Sequence, residues 1–134
     1  MAHKLAEVWS VQLLTSRGFI EDGKMDLTSM DDEGNLDEGE HDHDASFKEK
    51  IKGNAKLIRT PIGETYAISI RTKDTERASY EGLLVSDSGG NMVIVGGFRF
   101  KRGQKFEGRE ERELSEEIKF LLAQDEGVWV ITKP

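Results

Sequence analysis

Apolar residues in this chain recur at every second position in short runs, and turn-forming residues stand between the runs. Trp9, Val11 and Leu13 share one face of the run from Val8 to Thr15. Tyr66, Ile68 and Ile70 alternate with Ala67, Ser69 and Arg71, and Met92, Ile94, Gly96, Phe98 and Phe100 share a face further on. A period of two is the signature of a β-strand with one face buried. The β-branched and aromatic content of these runs agrees with that reading.

The punctuation agrees as well. Thr60-Pro61-Ile62-Gly63 carries the Pro and Gly of a turn, and Asp87-Ser88-Gly89-Gly90-Asn91 lies between two apolar runs as a hairpin would require. Further strands are read around 19–27, 47–59 and 80–84, with a last one at Val128–Thr132. This makes seven or eight strands without long helical crossovers, which argues against a parallel βαβ architecture. The expected fold is mainly β: a single domain over 1–134, an antiparallel up-and-down meander curled into a small barrel. The first and last strands should then pair, bringing Trp9 and Trp129 onto neighbouring strands. Gly96-Gly97 marks a bend or bulge.

Two segments resist the pattern. Residues 110–124 fit a helix through Leu114, Ile118, Leu121 and Leu122, with Ser115 as N-cap. They also fit a strand through Ile118, Phe120 and Leu122, so a short helix near 115–124 stays one of two readings. Residues 29–46 are acidic, contain Gly and have almost no apolar residues, and are read as a mobile long surface loop or hairpin tip.

Charge sharpens the second point. The chain of 134 residues has a net charge of −7, yet residues 21–44 hold eleven acids against Lys24 alone, a segment of −10. The remainder is +3, so the low overall charge does not by itself exclude a polyanionic partner. There are no cysteines, which removes disulfides, thiolate metal sites and cysteine catalysis. No run approaches the roughly 20 apolar residues of a spanning helix. A cytoplasmic protein without membrane association is expected.

Several motifs come close to known chemistry. Residues 29–40 place Gly34 and Glu40 at positions 6 and 12 of a calcium loop, with Asp31, Glu33 and Asp37 at oxygen-donor positions. Ser29 stands where Asp is needed, and no helix flanks the loop. His41 and His43 would face the same way on a strand, a start for a transition-metal site. Asp31, Glu33, Asp37, Glu40, His41 and His43 are therefore the candidate ligands for a divalent cation, and no other cofactor is predicted. Residues 18–24 match G-x-x-x-x-G-K, but Met25 replaces the Mg²⁺-binding hydroxyl and Glu21 and Asp22 would repel phosphate. Phe98 to Phe106 interleaves aromatics and cations, and Arg99, Lys101, Arg102, Lys105 and Arg109 could gather phosphates.

No activated serine or histidine constellation is visible, and no catalytic residue is assigned. The leading expectation is a non-catalytic β-barrel binding module. It would take a small, partly apolar ligand through Trp9, Tyr66, Tyr80, Phe98 and Trp129, or a protein partner. A divalent-metal function through 31–44 and polyanion binding through 98–109 are the alternatives. A homo-oligomer is compatible with each.

Overall fold

Strand pairing closes on itself. The computed structural model describes residues 5–15, 18–44, 47–61, 63–73, 78–86, 89, 91–100 and 126–132. They form eight strands: β1 (Val8–Thr15), β2 (Gly18–Asp26), β3 (Asn35–Asp44), β4 (Phe47–Thr60), β5 (Gly63–Thr72), β6 (Ala78–Ser86), β7 (Met92–Phe100) and β8 (Glu126–Thr132). Each pairs antiparallel with the next, and β8 returns to β1, giving a closed barrel in chain order. The expected meander is thus observed, with no α-helix among the described residues. The 115–124 ambiguity lies outside them.

The inward face is the one the alternation marked. Trp9, Val11 and Leu13 of β1, Ile68 and Ile70 of β5, Tyr80 of β6, Ile94 and Phe98 of β7, and Trp129 and Ile131 of β8 are buried. Eight strands leave an interior that side chains can fill, and Trp9, Trp129 and Tyr80 are its largest fully buried occupants. Trp9 and Trp129 lie on paired strands, as expected, but Trp129 faces Leu13 rather than Trp9. Trp9 sits nearer the other end, where its Nε1 donates to the Leu5 carbonyl at 3.0 Å and Leu5 is fully buried.

Gly96 earns its place by proximity. It pairs with Gly82 on one side and Trp129 on the other. A Cβ on Gly96 would lie 1.8 Å from the Glu81 carbonyl oxygen. The glycine pair allows the two strands to approach, and Trp129 reaches across them to donate from Nε1 to Glu81 O at 2.9 Å. Here the Gly96-Gly97 signal reflects close backbone approach.

The acidic segment requires a correction. Residues 29–46 are not a continuous loop, because Asn35–Asp44 is strand β3, paired with β2 and β4. Its outward acids meet lysines: Asp42 stands between Lys24 and Lys48, and Glu40 is opposite Lys50. Neutralising neighbours let an acid-rich strand form, since opposite charges directly across a ladder stabilise it. The register shifts between Leu36 and Gly39, so Leu36, Gly39, His41 and His43 all face inward despite the change from even to odd numbering.

Candidate functional site

Two places in the barrel concentrate functional groups. The first is internal, at the end where β3 turns into β4 and β5 into β6. His41 and His43 are two apart on β3 and therefore share the inward face. Both are fully buried, with Glu49 of β4 almost so. His43 Nε2 lies 2.6 Å from Glu49 Oε1, so one proton is held between them. The two imidazoles stack at 3.9 Å between centroids. The Tyr80 hydroxyl lies 3.2 Å from His41 Nδ1, within hydrogen-bonding distance. Tyr80 in turn packs on Trp129 at 5.5 Å and on Phe98 at 6.3 Å. Polar groups in such an interior are tolerated when they satisfy one another, and this network links β3, β4 and β6.

The second place is external, at the opposite end. The β2–β3 connection is pinned by its own main chain: Asp31 N donates to Asn35 O at 3.0 Å and Gly34 N to Asp31 O at 3.0 Å. The Asp31 carboxylate accepts from the amides of Glu33 and Asn35, each at 2.9 Å. The Asn35 amide is the main reason the Asp31 carboxyl stays ionised to below its ordinary value. Gly34 adopts φ 90°, and a Cβ there would meet the Ala55 carbonyl oxygen at 2.2 Å. That close approach lets Gly34 O accept from Ala55 N at 2.8 Å, the last rung between this connection and β4.

Beyond that rung, β4 continues as one arm of the β4–β5 hairpin. Ala55 points its amide toward the turn, so the main-chain groups of Leu57 and Arg59, on the same side by pleat geometry, follow along an edge past the end of β3. The inner face of this arm leaves the barrel core: Leu57, opposite Tyr66, is 52% exposed and Tyr66 is half-buried. A groove of about 400 Å³ runs between turn and hairpin, lined by Asp32, Glu33, Asn35, Asn54, Ala55, Lys56, Leu57 and Tyr66. Ala55, Leu57 and Tyr66 supply its apolar lining, Asp32 and Glu33 two exposed acids on the turn side, and Asn35, Asn54 and Lys56 further polar groups, with main-chain donors and acceptors along its border.

Comparison with protein-family models, curated proteins and solved structures finds no match to this chain. The assignment of function therefore rests on the geometry.

The residues expected to act together are placed as follows. Of the ligand-binding set, Trp9, Tyr80, Phe98 and Trp129 are core, whereas Tyr66 reaches the groove. The six candidate metal ligands are split: His41 and His43 point into the barrel, while Asp31, Glu33, Asp37 and Glu40 are exposed. No group of three or more metal-binding side chains forms among the described residues. The calcium-loop match also dissolves, since positions 35–40 are strand, and the G-x-x-x-x-G-K match lies within β2. Of the polyanion set, Arg99 is exposed on the outer face of β7, and Lys101, Arg102, Lys105 and Arg109 lie outside the described residues.

Sequence reasoning did not single out Glu49, Leu57 or the edge of β4. Glu49 stands in phase with Phe47 and Ile51, which places it inside, but nothing local names His43 as its partner. The open edge follows from where β3 begins, and the bulge at Leu36–Gly39 hides that start.

Proposed function

We propose that the protein is a non-catalytic β-barrel module that binds an extended, basic segment of a protein partner in the groove beside β4. The observation that carries this reading is that, among the described residues, no strand pairs with the edge of β4 at Leu57 and Arg59, beside a groove lined by Leu57 and Tyr66 and flanked by Asp32 and Glu33. Strand addition draws affinity from main-chain hydrogen bonds and specificity from alternate side chains. An added strand would set one side chain onto Leu57 and Tyr66 and direct a neighbouring Lys or Arg toward Asp32 and Glu33. The acids give partner choice and encounter rate more than raw affinity.

The test is fluorescence anisotropy with a synthetic peptide alternating Val with Lys and Arg, against the same peptide carrying Glu in place of the cations. The basic peptide should bind in a salt-dependent manner and the acidic one should not. Arg59→Pro removes an amide from the open edge while leaving the ladder to β5, because Arg59 turns its main-chain groups away from that strand. It should weaken binding about tenfold, the value of roughly one hydrogen bond. Equal binding of both peptides, or no loss in Arg59→Pro, would overturn the reading.

A second reading, a small and partly apolar ligand inside the barrel, draws on the convergence of His41, His43, Glu49 and Tyr80 beside Phe98 and Trp129. It requires the interior to open, because these side chains are buried. Quenching of Trp129 emission by a panel of small aromatic acids, lost in His41→Ala, would support it. A cytoplasmic location fits a cysteine-free chain with a charged outer wall over β2–β4. A tagged chain recovered in membranes would contradict it.

A further inference from the structure

The outer surface of the barrel is divided. On β2, β3 and β4 it is a ladder of charges, with Lys24, Asp42 and Lys48 in one row and Asp26, Glu40 and Lys50 in the next. On β6, β7 and β8 it is aliphatic. Leu83, Val85, Val95 and Val128 are 39–46% exposed. The register makes them neighbours: Ala67, Leu83, Val95 and Val130 form one row across β5 to β8, Val85 faces Val93, and Val128 lies between Gly97 and Leu14. Among the described side chains, charge borders the aliphatic rows on one side: Glu81 shares the row of Gly97 and Val128, and Arg99 stands in the row beyond. Scattered exposed aliphatics need no explanation, but a contiguous wall of them marks an interaction surface.

We infer that this wall binds a second copy of the chain, related by a two-fold axis passing near Val95. The charge distribution selects that occupant. The segment of −10, residues 21–44, builds β2, β3 and their connection. In the ring of eight strands, β3 lies four strands from β7, on the far side of the barrel. Two copies meeting across β7 therefore hold their acidic walls as far apart as the molecule allows, so net charge opposes this contact least. The two rows Ala67–Leu83–Val95–Val130 and Val85–Val93 are aliphatic throughout, with Glu81 at their margin, and such a face is complementary to itself, as an isologous contact requires.

The size of the wall sets the strength. It spans about four inter-strand spacings, ~19 Å, and about six residues of strand, ~20 Å, a footprint on the order of 400 Å² per copy. A standard interface covers roughly 800 Å² per partner. The dimer should therefore be weak and concentration-dependent. The contact is separate from the groove beside β4, and either can fail alone.

Sedimentation equilibrium of the full chain, from micromolar to near-millimolar concentration, tests the inference. The wild type should move from the mass of one chain toward that of two. Val95→Glu and, separately, Leu83→Lys should remain at one chain with unchanged far-UV circular dichroism. Lys50→Glu, on the charged wall, should dimerise no less than a control at Lys56→Glu. A wild type that stays monomeric throughout, or a dimer that survives both Val95→Glu and Leu83→Lys, would overturn it.

Discussion

Trp129 Nε1 on β8 donates to the main-chain carbonyl of Glu81 on β6, 2.9 Å away, passing the intervening strand where Gly96 offers no side chain. This bond ties three consecutive strands at the middle of the barrel wall. Trp129→Phe keeps most of the ring volume and removes the donor, leaving Glu81 O without that partner. The variant should lose about 1 kcal/mol, the net contribution of one part-buried hydrogen bond, read as a lower urea midpoint with unchanged slope.

Gly96→Ala tests the same neighbourhood from the backbone. Its new Cβ would sit 1.8 Å from Glu81 O and 2.5 Å from the Cα of Gly82, both main-chain atoms that cannot swing aside. The loss should be about 3 kcal/mol or more, at the upper end of overpacking effects. Gly63→Ala is the contrast in steric terms, since nothing lies within 4 Å of its added Cβ and only its φ of 131° resists. Thermal melting of the two should separate crowding from backbone strain.

The His43–Glu49 pair is buried on both sides, so losing one partner should cost more than losing both. Glu49→Leu alone should destabilise by about 3–5 kcal/mol, and the double variant His43→Leu/Glu49→Leu should recover a large part of it. A double-mutant cycle from denaturant unfolding measures the coupling.

Asp31 supplies a pH dependence whose sign is fixed. Its folded carboxyl is held below the ordinary carboxylate value, chiefly because the Asn35 main-chain amide donates to it. The stability it contributes is fully present above that unfolded value and is lost as pH falls through the folded one. Asp31→Asn should therefore flatten the acid limb of the stability profile and leave its slope near neutrality unchanged. Because the carboxylate is exposed, the effect should be small. Melting temperature against pH for both proteins reads it.

Much of this barrel was legible in the residues. The period of two through Trp9-Val11-Leu13, Tyr66-Ile68-Ile70 and Ile94-Gly96-Phe98 marks the inward face, and the turn residues mark the hairpins. The closure of β8 on β1 follows from the strand count. Strand β3 was not legible, for two physical reasons. Only Leu36 among its inward positions is aliphatic, and the bulge between Leu36 and Gly39 breaks the alternation at that point. Its stabilising neighbours, Lys48 and Lys50, belong to the next strand, so the charge pattern has meaning only after pairing. The spacing of the two histidines sets them on one face, but their direction into the barrel depends on that same pairing. The groove depends on the difference in length between β3 and the β4–β5 hairpin, a tertiary property without a local signal.

An extended basic segment is proposed to add to the edge of β4. The most direct measurement is a nitrogen-15 NMR titration of the full chain with the alternating Val and Lys/Arg peptide. Chemical-shift changes should concentrate at Asp32–Asn35, Ala55–Arg59 and Tyr66, and the amides of Leu57 and Arg59 should gain protection from hydrogen exchange. Shifts confined to His41, His43 and Tyr80, or protection that leaves Leu57 and Arg59 unchanged at saturating peptide, would contradict it.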